Sequence, residues 1–222
     1  MKRILLFISA LAVFYLMSSC GNDDTNGHEW VDLGLPSGTL WATCNVGADK
    51  PEEFGNCFSW GETEPKGYYS ERSYSLCNDS YDKIIKYCNN PKYGYNGFKD
   101  KYTELRSDDD AATVNWGSGW CTPTKEQWLE LKQNTTNVWI NQNGVNGRLL
   151  TAKNGRTLFL PAAGSRWNND LICPDYYGCY WSKTLEDIYP DACCLLFGPD
   201  ERDLDLCSGN RCRGLSVRPV RK

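Results

Sequence analysis

Histidine is almost missing from this 222-residue chain, and His28 is the single one. That excludes mechanisms needing two imidazoles, including HExxH metalloproteases and His-rich zinc sites. No CxxC occurs, and no Cys/His set has zinc spacing, so no metal ligand set is expected. An excess of positive charge is also lacking. With 24 basic against 28 acidic side chains, the net charge of −4 argues against phosphate-neutralising nucleic-acid binding. The longest apolar run, residues 4–17, is broken only by Ser9. It falls short of the roughly 20 residues a membrane-spanning helix needs. What is present is 13% aromatic and 23% charged residues, with 9 Trp and 12 Cys. This composition excludes a disordered chain and a coiled coil, and the length suits one large domain.

Lys2 and Arg3 precede the apolar run as the n-region and h-region of a signal peptide do. The run closes on Leu16-Met17-Ser18-Ser19-Cys20, which resembles the lipobox of bacterial lipoproteins. That resemblance implies a lipoprotein signal peptide over 1–19, with Cys20 diacylated as the membrane anchor; a plain secretory signal is the alternative. Residues 20–28 then form a lipidated polar tether. Its Asp23-Asp24 pair is similar to the surface-export signal of Bacteroidetes lipoproteins, against an ordinary tether. The expected location is the outer membrane, exposed at the cell surface.

Residues 29–222 read as one α+β domain. Short strands are expected at 29–33, 39–43, 58–60, 178–182, 192–197, 204–207 and 214–220. A hairpin is expected from 148–152 and 156–160 around Lys153-Asn154-Gly155. Thr124 and Gln127 form a capping box for a helix whose apolar face holds Trp128, Leu131 and Leu129. Between 61 and 106 periodicity fades and tyrosines crowd in, giving a long connection with a short helix near 81–87. Its aromatics could stack on sugars, although packing a loop onto the core is the commoner use. Alternation along 192–197 places Cys193, Leu195 and Phe197 inward and Cys194 and Leu196 outward.

Several motifs occur in order: Trp30-Val31-Asp32-Leu33-Gly34-Leu35-Pro36-Ser37-Gly38-Thr39-Leu40-Trp41-Ala42, Phe58-Ser59-Trp60-Gly61-Glu62-Thr63, Asp109-Asp110-Ala111-Ala112 and Trp120-Cys121-Thr122-Pro123-Thr124. Leu158-Phe159-Leu160-Pro161-Ala162-Ala163-Gly164, Tyr180-Trp181-Ser182 and Gly214-Leu215-Ser216-Val217-Arg218-Pro219-Val220 follow. The set resembles the Fibrobacter succinogenes major paralogous domain of Bacteroidetes lipoproteins, over nearly all of 29–221. That family is related to the C-type-lectin-like and formylglycine-generating (sulfatase-modifying) folds. The resemblance implies a C-type-lectin-like domain of short antiparallel strands, one or two helices and long loops. Cys121 departs from it, standing where the family commonly has Arg, which puts a framework contact there in question.

Beyond Cys20, eleven cysteines remain, an odd number, and six of them fall between Cys173 and Cys212. From 187 to 217 there is no Lys, Gln, Met or Trp, and Glu201 is the only Glu. Those five types make up 33 of the 166 residues from 21 to 186. Some C-type-lectin-like proteins are targets of diversity-generating retroelements, which randomise template adenines copied into a gene's 3′ end. Asn codons altered in this way yield Asp, Tyr, Ser, Cys, Gly, Arg and Leu, but none of the five depleted types. Drift among paralogues is the alternative. On the diversified reading, one exposed binding face should gather Asp170, Leu171, Cys173, Tyr176, Tyr177, Cys179, Asp191, Cys194, Leu196, Asp203, Asp205, Asn210, Cys212 and Arg213.

The expected function is display of a protein- or glycan-binding surface, with the membrane reached through the lipid anchor and no cofactor or catalytic residue assigned. A structural lipoprotein without a dedicated ligand is one alternative. A thiol-dependent enzyme of the formylglycine-generating type is another, in which Arg211 and Arg213 would favour a Cys212 thiolate. Trp167-Asn168-Asn169-Asp170 is similar to the calcium-binding Trp-Asn-Asp of sugar-binding lectins, against an ordinary polar turn; the Glu-Pro-Asn partner motif is absent.

Overall fold

A computed structural model describes residues 27–186, 190–200 and 204–222. The expected signal peptide, Cys20 and nearly all of the tether lie outside the described residues, as does Asp203. In chain order come β1 (Trp30–Asp32), β2 (Leu40–Ala42), β3 (Cys57–Phe58), α1 (Ala111–Trp116) and α2 (Lys125–Asn134). Then follow β4 (Thr135–Gln142), β5 (Val145–Ala152), β6 (Thr157–Pro161), β7 (Ser165–Trp167) and β8 (Asp170–Ile172). The last are β9 (Gly178–Leu185), β10 (Asp191–Phe197), β11 (Asp205–Asn210), β12 (Leu215–Ser216) and β13 (Val220–Arg221).

These strands form a five-stranded sheet ordered β11-β10-β9-β12-β3, two three-stranded sheets, β1-β2-β13 and β4-β5-β6, and the β7-β8 hairpin. Pairing is antiparallel except between β12 and β9. The chain is thus a strand-dominated α+β protein with two short α-helices among the described residues.

The capping box forms as its residues dictate. The Gln127 N–H donates to Thr124 Oγ1 at 3.2 Å and the Thr124 N–H to Gln127 Oε1 at 2.8 Å. Trp128 and Leu131 are buried, whereas Leu129 turns outward at 37% exposure, leaving the helix a narrower apolar stripe than expected. The hairpin also forms, with Leu149 opposite Phe159, and Gly155 (φ 81°) supplies the left-handed turn residue.

Three expectations fail for identifiable reasons. Residues 81–87 are turns rather than a helix: Ile84 exchanges backbone hydrogen bonds with Tyr93 and Tyr95, and Tyr87 sits at φ 59°. The strand expected over 214–220 divides into β12 and β13, because Pro219 lacks the N–H a continuous ladder needs. Cys194 is buried at 5% despite its outward phase, because β10 is covered on both faces. α1, β4 and the β7-β8 hairpin were not anticipated.

Two cores flank the five-stranded sheet. One joins Trp128 and Leu131 of α2 to Tyr180, Leu195 and Phe197, together with Trp41, Leu150 and Leu160. The other gathers Phe58, Trp60, Trp116, Trp120, Trp181 and Leu215. Buried indoles need hydrogen-bond partners, and strand carbonyls supply several. Trp60 Nε1 donates to Ser182 O at 2.8 Å, and Trp181 Nε1 to Phe58 O at 2.7 Å.

Buried charges join motifs that are distant in sequence. Asp110 caps α1 by accepting the Ala112 N–H at 3.0 Å, and it accepts the Thr122 hydroxyl at 2.6 Å and the Thr122 N–H at 2.9 Å. Arg218, fully buried, donates through Nε to Asn45 Oδ1 at 2.8 Å and through Nη1 to Thr43 O at 2.5 Å. Burial lowers the Arg218 pKa from its ordinary value. Removing either group would strand buried polar partners, a cost larger than the net worth of one hydrogen bond. Cys121 keeps a backbone role, exchanging hydrogen bonds with Val220 at 2.9 and 2.8 Å.

Candidate functional site

Strand register assembles the candidate site. In the β9–β10–β11 layer, Cys194 stands opposite Cys207 on one side, and Leu196 stands opposite Cys179 and Asp205. Asp191 stands opposite Asn210. A groove of about 530 Å³ runs along this layer, with Trp167 and Leu215 at its margins. Six of the fourteen expected residues line it: Cys179, Asp191, Cys194, Leu196, Asn210 and Arg213.

The remaining eight separate. Asp170 and Leu171 project from β8, and exposed Cys173 and Tyr176 with half-buried Tyr177 form the turn that follows. The Tyr176 and Tyr177 rings meet edge to face at 4.7 Å. This hairpin adjoins the groove through Trp167 and through the backbone pair between Arg166 and Gly214. Asp205 faces Lys132 at 3.1 Å outside the groove lining. Asp203 lies outside the described residues. Cys212 is fully buried, so the expected single exposed face does not include it. Cys194 reaches the groove only as part of its wall.

Cys207, Ser208 and Gly209 also line the groove, although they are not among the fourteen candidate residues. Pairing β11 to β10 by alternation would have found Cys207. Gly209 has a steric reason for its identity. An added Cβ would lie 2.8 Å from the Trp181 ring and 3.1 Å from Cys194 Sγ. The scaffold tryptophan therefore fixes this position, whatever its neighbours do.

The groove's polar groups are spaced apart. Asp191 accepts the Tyr81 hydroxyl hydrogen bond, which ties the long tyrosine-rich connection to the rim. The Arg213 guanidinium lies over the Trp167 ring, 5.7 Å from its centroid. Burial pushes the Cys179 thiol up to about 12. The hydrogen bond between Cys194 and Cys207 lowers the Cys207 pKa and, with burial, raises that of Cys194.

Cys212, the thiol named in the enzyme alternative, is fully buried. Its hydrogen bond with Cys77, followed by burial, raises its pKa far above the ordinary value, and the opposing pull of Arg211 is outweighed. Arg211 spreads its charge over Trp60 and Tyr74, at 5.4 and 5.9 Å, while Arg213 turns to Trp167.

Asn168 and Asn169 form the turn between Trp167 and Asp170, and the backbone of Asn168 pairs with that of Tyr69. Among the described residues, no group of three or more His, Cys, Asp or Glu side chains is arranged to hold a metal ion. His28 stacks on Trp116 with 3.8 Å between ring centroids.

The chain matches no family model, and neither a curated protein nor a solved structure matches it.

Proposed function

We propose that this is a lipoprotein, anchored through Cys20 to the outer membrane and exposed at the cell surface, whose C-type-lectin-like domain binds a protein or glycan non-catalytically in the β9–β11 groove. One observation carries the reading. Side chains scattered from Cys179 to Arg213 converge on a single 530 Å³ concavity. Apolar walls with a few separated polar groups suit ligand recognition. In the supporting frame, the buried Asp110 and Arg218 fasten motifs distant in sequence together. Such a frame tolerates changes along the groove better than changes in the cores beside it.

The test is a binding screen with the full-length lipoprotein in detergent, applied to a glycan array and a displayed peptide library. Leu196→Arg and Arg213→Glu should each abolish retention of the captured probes, while Lys153→Glu on the distant hairpin should not. Retention unaffected by both groove changes would favour a structural lipoprotein without a dedicated ligand. Sequencing the gene's 3′ end across isolates gives a second readout. Substitutions concentrated at groove codons support diversification, whereas scattered synonymous and nonsynonymous change opposes it.

A further inference from the structure

The Cys194 and Cys207 sulfurs lie 3.0 Å apart, on directly opposed residues of adjacent antiparallel strands. Such residues have Cα atoms about 4.5–5.5 Å apart, inside the roughly 4.4–6.8 Å range of disulfides. Bond formation therefore needs side-chain rotation and no backbone movement. The other nearby thiols are placed differently. Cys193 is fully buried and projects from the other side of β10, and Cys179 stands opposite Leu196.

Access to the two sulfurs is unequal. Cys207 is half-buried on edge strand β11 and Cys194 is nearly enclosed behind it, yet both line the groove.

We infer that Cys194 and Cys207 form a dithiol that a small external disulfide, such as oxidised glutathione, converts to a cross-strand disulfide in the groove wall. The Cys207 thiolate attacks one sulfur of oxidised glutathione and releases one glutathione thiolate, leaving a mixed disulfide. Cys194 then loses its proton, attacks the Cys207 sulfur and expels the second glutathione. Two protein thiols lose two protons and two electrons in total, and one glutathione disulfide becomes two thiols.

The local electrostatics follow this order. The Cys194 hydrogen bond favours the Cys207 thiolate, making it the attacking sulfur. Negative charge on Cys207 holds the Cys194 proton in place, and the mixed disulfide removes that charge. The product would fasten β11, which is paired on one side only, covalently to its neighbour β10. This inference does not depend on the ligand-binding reading.

Trypsin separates the thiols cleanly. Cuts after Lys183, Arg202 and Arg211 place Cys193 and Cys194 in peptide 184–202 and Cys207 alone in peptide 203–211. Cys173 and Cys179 fall together in peptide 167–183. The reduced full-length protein is incubated with oxidised glutathione, alkylated with iodoacetamide, digested and mapped by mass spectrometry without reduction. The expected product joins 184–202 to 203–211. It should disappear in Cys194→Ser and Cys207→Ser and persist in Cys193→Ser, with folding of each variant checked by near-ultraviolet circular dichroism. Recovery of wild-type Cys207 as alkylated thiol or as glutathione adduct alone overturns the inference. So does linkage of 203–211 to 167–183, or a crosslink that survives Cys194→Ser. The wild-type map decides the matter even where a variant fails to fold.

Discussion

One face of the five-stranded sheet carries Tyr180, Leu195 and Phe197 and is sealed by α2 and the β4–β6 sheet. The other carries Trp181 and Leu215 under a tryptophan-rich cluster, then opens towards β11 into the groove. Both faces are built from the same strands, so a one-residue step along β10 moves from a sealed environment to the groove wall. A chain can therefore vary its outer face while its inner face stays fixed, provided register is preserved.

Four substitutions should measure that contrast by urea unfolding, from the largest effect to the smallest. Phe197→Ala should cost about 3–5 kcal/mol. The Phe197 ring fills the space beside Gly178, where an added Cβ would lie 2.0 Å from it, and it stacks on Tyr180 at 5.9 Å. A loss below about 1 kcal/mol would show that the sealed face is not the more constrained one. Tyr180→Phe should cost about 1–2 kcal/mol, because its hydroxyl donates to the buried Pro161 carbonyl at 2.6 Å. Thr124→Ala removes the cap of the sealing helix and should cost about 1 kcal/mol, with Thr124→Ser restoring most of it. Asp205→Ala breaks an exposed pair with Lys132 beside the groove and should shift stability by less than about 0.5 kcal/mol. Equal effects at Asp205 and Phe197 would remove the distinction between the faces.

The same contrast explains what could be read from the sequence. Local chemistry was readable: the Thr124/Gln127 capping box, the Lys153-Asn154-Gly155 hairpin and the strands around Trp41 and Trp181 all form. Each depends on residues close together in the chain. The burial of Cys194 was not readable by alternation, since covering both faces of a strand is a tertiary event. Over residues 81–87, where a short helix was expected, pairing of Ile84 with Tyr93 and Tyr95 holds the chain in turns instead. β4 escaped notice because its β-branched residues follow α2 without a break, Thr135 serving as the helix's C-cap. At the site, composition pointed to the region between 170 and 213, while register decided which of its residues share the groove. Cys212 has the same composition signal as Cys207 and an opposite fate.

β13 pairs with β2 and so completes a sheet begun at residue 30. All fourteen candidate residues precede that closing strand in the chain. A stop codon or frameshift among them would delete Arg218 and Val220, leaving Trp41 uncovered and the carbonyls of Ala42 and Thr43 without their donor. The product would be an unfolded chain and not a domain with a shortened groove. The fold thus acts as a reading-frame check, because only chains translated in register through the stretch that holds the candidate residues can close.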